Sequence, residues 1–181
     1  SLSFSLGGAH NEYRGKHFGE VIWAEFASTG SNSDHYYDGT GSKDDFNIYG
    51  KVNFSPIASL SLFADLQYRN VGYSIAGTDK NLKQLTFDNQ YNFFNPKVGA
   101  TLFLNERSNV YTSFSVANKE PNRDDFTNLK TGLPMPKSER LNNVEAGYRY
   151  KDARLNVGAN VYGMFYKDQL IFTGEINQFS D

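Results

Sequence analysis

The chain has 181 residues, 39% hydrophobic and 21% charged, enough for one domain with a sizeable core and short for two. Lys and Arg number 18 against 20 Asp and Glu, a net charge of -2, which argues against a nucleic-acid binder working through a basic surface. With no Cys, disulfides, thiolate metal sites and a cysteine nucleophile are excluded, and no apolar run approaches the roughly 20 residues of a spanning helix.

The aromatic fraction comes from 12 Tyr and 15 Phe beside 1 Trp, with 16 Gly and 5 Pro. Such a composition, with little helix-period patterning, points to a β protein. The opening residues carry no basic region or cleavage pattern, so any export signal is expected outside this chain. In the first segment Leu2, Phe4 and Leu6 alternate with Ser3 and Ser5. Phe46, Ile48, Val52 and Phe54 then oppose Asn47, Tyr49, Lys51 and Asn53. Leu60, Leu62, Ala64, Leu66 and Tyr68 oppose the mostly polar Ser61, Phe63, Asp65, Gln67 and Arg69. Val98, Ala100, Leu102 and Leu104 make the fourth apolar set, and Val110, Thr112, Phe114 and Val116 the fifth. Val144, Ala146, Tyr148 and Tyr150 follow, then Leu155, Val157, Ala159, Val161 and Phe165. A period of two sustained over a segment means a strand with one dry and one wet face, so about seven strands are predicted.

Three connections read as short, Ser55–Ser59, Asn105–Ser108 and Lys151–Ala153. They alternate with three that read as long, His10–Asp45, Tyr73–Phe93 and Asn118–Arg140. An antiparallel meander then carries all tight turns at one end and all long loops at the other. Outer-membrane barrels sort their loops this way, with a lipid-facing apolar set opposite a polar lumen set. Closure satisfies every backbone hydrogen bond between strands, which hydrocarbon demands. Tyr148, Tyr150 and Phe54 stand beside short turns, where an interfacial aromatic girdle belongs. The alternative from a different class is a soluble β-sandwich carbohydrate-binding module, whose apolar faces would pack on each other.

From Tyr111 the chain reads YTSFSVANKEPNRDDF, then PKSERLNNVEAGYRY, then LNVGANVYGMFYKDQL. This resembles TonB-dependent outer-membrane receptors, the matching positions being Arg123, Pro136, Glu139, Glu145, Gly147, Tyr148, Asp168 and Leu170. Upstream, HFGEVIWAEF (17–26), DFNIYGKVNF (45–54), LFADLQYR (62–69) and YNFFNPKVG (91–99) look like the Bacteroidota branch of these receptors. The resemblance implies an all-β antiparallel meander over residues 1–181 that is part of a barrel of about 22 strands, with the plug and the remaining strands outside this chain. It implies an outer-membrane location and energised uptake of a scarce nutrient, such as an iron-siderophore, haem or cobalamin. The implied partners are the TonB energy-transducing complex, reached through the absent plug region, the nutrient itself and outer-membrane lipid. No enzymatic activity and no cofactor are implied.

Several clusters invite a functional reading. Trp23, Tyr36 and Tyr37, with Phe18, enrich the first long connection in rings that bind flat or hydrophobic ligands; the competing reading is that Val21, Ile22 and Trp23 prolong the strand. Arg123 in the third long connection joins them as a candidate ligand contact. His10, His17 and His35 lack metal-site spacing and read as solvated loop residues. The pairs Asp44-Asp45 and Asp124-Asp125 offer too few oxygens for Ca²⁺ and read as solvated loop tips. The segment DGTGSK (38–43) lacks the full phosphate-loop spacing and reads as a turn. Asp65 with Arg69, Glu145 with Arg149, and Glu120, Arg123, Glu139 and Arg140 are expected to form a lumenal salt-bridge network.

Overall fold

A computed structural model describes residues 1–23, 25, 35–80, 82–127 and 135–169. Its elements in chain order are β1 (Leu2–Glu20), β2 (His35–Ile57), β3 (Leu60–Thr78), β4 (Gln84–Asn105), β5 (Ser108–Lys119), a short helix α1 (Arg123–Thr127), β6 (Glu139–Lys151) and β7 (Asn156–Lys167). The seven strands form one sheet in sequential order, every neighbour antiparallel. No second sheet packs on it among the described residues, so the soluble sandwich is not the fold. No described helix is long and apolar enough to cross a membrane, a fact that leaves crossing by strands untouched.

Register confirms the face assignment and extends it across the whole sheet. Phe4 pairs Val52, Val52 pairs Ala64, Ala64 pairs Val98, Val98 pairs Phe114, Phe114 pairs Val144, and Val144 pairs Gly163. Parallel rows lie on either side: Leu60, Leu102, Val110, Tyr148 and Ala159 toward the tight turns, and Tyr68 with Phe94 toward the other end. Because side chains alternate with period two, one continuous register puts all these residues on one face. Many stay open to their surroundings, with Phe4 67%, Leu66 46% and Val161 72% exposed. Among the described residues no protein layer covers this face, and an uncovered apolar surface of such breadth requires a non-aqueous neighbour. The eight residue steps from Leu60 to Tyr68 span about 26 Å along the strand, or about 20 Å of height at the usual tilt.

On the opposite face, aromatic rings lie over glycines of the neighbouring strand. Tyr49 faces Gly7, Phe63 faces Gly99, and Tyr111 faces Gly147 as direct cross-strand partners. A Cβ on Gly7 or Gly147 would sit 2.5 Å from the partner ring, so only glycine lets the ring lie flat on the wall. A cation two residues along the glycine's strand then covers two of these rings: Lys97 is 5.9 Å from the Phe63 centroid, and Arg149 is 4.2 Å from that of Tyr111. Glu145, expected to pair with Arg149, instead accepts hydrogen bonds from Tyr111 Oη (3.0 Å) and Asn160 Nδ2 (3.2 Å).

Strand lengths depart from expectation. β5, β6 and β7 have 12, 13 and 12 residues, close to one crossing, whereas β1 to β4 have 19, 23, 19 and 22. Much of the expected loop His10–Asp45 is therefore strand, including the DGTGSK segment, which is extended β2 rather than a turn. Asp44 and Asp45 also sit inside β2, on opposite faces, so the two carboxylates cannot share an ion. The expected loop Tyr73–Phe93 is a hairpin whose connection is only residues 79–83, closed by Leu82 N–H to Asp79 O (2.9 Å) and Lys83 N–H to Asp79 Oδ1 (2.9 Å). At the other end the tight turns fall where predicted, the first narrowed to residues 58 and 59 because β2 runs on to Ile57. In the last of them Tyr150 Oη, Arg154 N–H and Leu155 N–H all donate to the Asp152 carboxylate, and this holds it below its ordinary pKa. Leu155, predicted as strand, belongs to that turn, and Leu170 lies outside the described residues.

Candidate functional site

The functional geometry collects on the polar face at the long-loop end, where β1 to β4 run beyond the apolar rows. The β4–β5 ladder stops at the pair Lys97 and Ser115. Above it Asn95 takes over: its Oδ1 accepts from the Asn118 backbone N–H (3.1 Å) and Nδ2 (2.8 Å), while its own Nδ2 donates to Gln67 Oε1 (3.1 Å). This side-chain bridge satisfies backbone that the ladder has abandoned. Beyond it, Glu120 and Phe126 of the β5–β6 connection lie against the polar face of β2, β3 and β4.

Two anchors hold that connection. The first is ionic. Glu120 Oε2 accepts from Arg69 Nη1 at 2.9 Å and Glu120 Oε1 from Lys43 Nζ at 2.6 Å, while Arg69 Nε donates to Asp45 Oδ1 at 3.0 Å. Arg69 thus bridges two carboxylates in a fork geometry that Lys could not reproduce. Burial pushes the Glu120 carboxyl up, but hydrogen bonds from Lys43 and Arg69 outweigh it and hold the group below its ordinary value. The second anchor is aromatic. Phe126 on α1 lies 4.0 Å from the Phe87 ring centroid and 6.4 Å from that of Tyr73. Val71, Ile75, Phe93 and Phe126 are among the most buried apolar residues, so the small core sits here rather than along the apolar face. Asp125 and Asn122 hydrogen-bond each other's backbone N–H at the start of α1 (2.7 and 3.2 Å).

The four candidate ligand residues fall in two places. Tyr36 and Tyr37 stand at the start of β2, their rings edge to face at 5.0 Å, and Trp23 follows β1 with 76% of its surface exposed. Since β1 ends at Glu20, Val21, Ile22 and Trp23 do not prolong the strand. Arg123 opens α1 beside the aromatic anchor, its charge acting on the Tyr73 hydroxyl and its Nε buried without a hydrogen-bond partner among the described residues. The histidines are dispersed: His10 and His17 point to opposite faces of β1, and His35 closes the β1–β2 tip. There His35 stacks on Phe18 at 4.2 Å and contacts Asp38 (3.0 Å) and Glu20 (3.3 Å).

Sequence reading missed Asp45 as a partner of Arg69 and Lys43 as a partner of Glu120, since it assigned them to a loop tip and a turn. It placed Arg69 on the lumen side correctly, but paired it with Asp65. Among the described residues no group of three or more His, Cys, Asp or Glu side chains converges to hold a metal.

A single meander with one uncovered apolar face, a ring-lined polar face and an ionic cluster at its long-loop end defines a segment of transmembrane β-barrel wall. The model of the TonB dependent receptor-like, beta-barrel family matches residues 1–181, and the chain belongs to that family. No curated protein matches it. Two crystal structures of the ferric-catecholate import receptor Fiu from E. coli K12 share the fold. The closed form matches with a TM-score of 0.65 and 18% identity over 90% of this chain. The open form matches with a TM-score of 0.65 and 16% identity over 92% of it. This chain spans 28% of the length of each.

Proposed function

We propose that these strands form part of the wall of an outer-membrane receptor that takes up a scarce, bulky nutrient, such as an iron-siderophore, haem or cobalamin, with energy delivered by the TonB complex. The plug that TonB acts on and the remaining strands are supplied outside these residues. The chain's part is mechanical and recognitive: it makes the hydrocarbon boundary, lines the lumen and presents the outer connections. It performs no bond chemistry. Trp23, Tyr36 and Tyr37 offer aromatic surface to the arriving ligand, and Arg123 offers a cation beside the inward-folded connection.

The observation that carries this reading is the unbroken register of apolar rows over all seven strands, opposite a polar face whose charges are paired at one end. Such a sheet suits lipid on one side and a hydrated lumen on the other. The test is uptake by cells lacking their own receptors, supplied with the whole receptor and grown on one limiting nutrient at a time. Growth on a bulky chelate, haem or cobalamin is expected. A Tyr36→Ala, Tyr37→Ala double variant should reach the outer membrane normally yet take up less. Growth on none of these nutrients, with the receptor in place, would overturn the proposal.

A further inference from the structure

The apolar face is not uniformly filled. In the row Leu6, Gly50, Leu66 and Pro96, Gly50 supplies no side chain. Nothing nearby demands glycine there: a Cβ at this position would meet nothing closer than Leu6 Cδ1 at 4.0 Å, and the backbone is not left-handed. This separates Gly50 from Gly7 and Gly147, which a ring on the opposite face compels. What the missing side chain leaves is a shallow apolar cavity of about 180 Å³ walled by Leu6, Ile48, Leu66, Tyr68 and Phe94.

Directly beyond that cavity, on the same face, chemistry changes within one row. Asn92 Oδ1 accepts from both Tyr68 Oη and Asn70 Nδ2 at 2.7 Å, and Asn70 Oδ1 accepts from Gln90 Nε2 at 3.3 Å. The amide ladder needs polar surroundings, and the apolar wall below it needs hydrocarbon. The cavity therefore lies at the top of the apolar belt, continuous with it on its lower side and capped by hydrogen-bonding groups.

We infer that the hollow at Gly50 seats one acyl chain of an outer-leaflet lipid, with the lipid's polar head against Asn70, Asn92 and Gln90. This rests on the membrane reading proposed above. A lipid suits both halves of the surface at once, since it joins a flexible apolar tail to a head that accepts and donates hydrogen bonds.

The test uses the whole receptor, reconstituted in vesicles containing dioleoylphosphatidylglycerol, extracted in mild detergent and weighed by native mass spectrometry. Gly50→Leu fills the hollow, and Ala100→Leu adds nearly as much bulk elsewhere on the face. Wild type and Ala100→Leu should each retain one lipid. Gly50→Leu should retain it at least about tenfold more weakly, as expected for loss of roughly two seated methylenes. Insertion of all three with equal lipid retention overturns the seat alone. Loss of a dimer in Gly50→Leu, with no change in lipid, assigns the hollow to a second copy and overturns it too. Failure of wild type to insert overturns the membrane reading and the seat with it.

Discussion

Arg69 and Glu120 stand 51 positions apart in the chain and meet at 2.9 Å. The contact reaches past β4 and fastens the β5–β6 connection to β3, while Lys43 adds a second grip from β2. Glu120→Gln keeps the shape and removes the charge that Lys43 and Arg69 share. It should cost on the order of 1–3 kcal/mol, the range for a hydrogen bond to a charged group that loses its charge. Urea unfolding of the receptor in detergent reads this directly, and an unchanged midpoint would show the anchor to be idle.

The same anchor predicts a pH response. Glu120 titrates lower in the folded protein than its ordinary 4.5, so its stabilisation is fully present above that value. It is lost as pH falls through the depressed folded value. Protease cleavage within residues 120–138 should stay constant from neutral pH down to about 5 and rise only in stronger acid. Glu120→Gln should be cleaved faster at neutral pH and lose this response.

His35 behaves in the opposite sense. The Asp38 hydrogen bond, opposed by partial desolvation and aided by Glu20, raises it above 6.5. Its contribution to the β1–β2 tip is complete below 6.5 and disappears as pH rises through the raised folded value. Among the described residues its ionic partners are Asp38 and Glu20, with Phe18 stacked on the ring. After correction for intrinsic exchange, hydrogen exchange at Gly19 and Glu20 should accelerate on the alkaline side. His35→Phe should keep the stack yet exchange independently of pH in that window.

Phe126 is the apolar counterpart of Glu120. Phe126→Ala empties a nearly closed site against Phe87 and Tyr73 and should cost about 3 kcal/mol or more. The loss should appear as faster proteolysis of the β5–β6 connection, with the strands still protected. If cleavage stays slow, the ionic anchor alone holds the connection.

How much of this was legible beforehand follows from what surrounds each residue. Leu60–Tyr68 announced itself because one face meets hydrocarbon and the other water. Ser42, Lys43, Asp44 and Asp45 are equally extended, yet beyond the apolar rows both faces are polar and alternation carries no label. The strand extensions consequently read as loops. Arg69 could be placed on the lumen face from parity alone, but its partners Asp45 and Glu120 are set by register and by the course of the β5–β6 connection, which local sequence does not encode. The ring-on-glycine pairs, such as Tyr111 with Gly147, become visible only once strands are aligned.

The final prediction concerns depth. Val98 and Ala64 pair midway between the Leu60–Leu102 row and the Tyr68–Phe94 row, so Val98 occupies the middle of the apolar belt. Leu102 is at its edge, and Gln67 faces the other way beside Asn95. Arginine has no counter-charge or water at mid-belt, so Val98→Arg should cost about 2–4 kcal/mol, whereas Leu102→Arg should cost at most about 1 because its guanidinium reaches the interface. Gln67→Arg enters a hydrated, hydrogen-bonded lumen and should change stability less than Val98→Arg. Unfolding of the three variants of the whole receptor from vesicles would rank them. Equal costs at Val98 and Leu102 would remove the depth gradient, and with it the argument that this face was built for hydrocarbon.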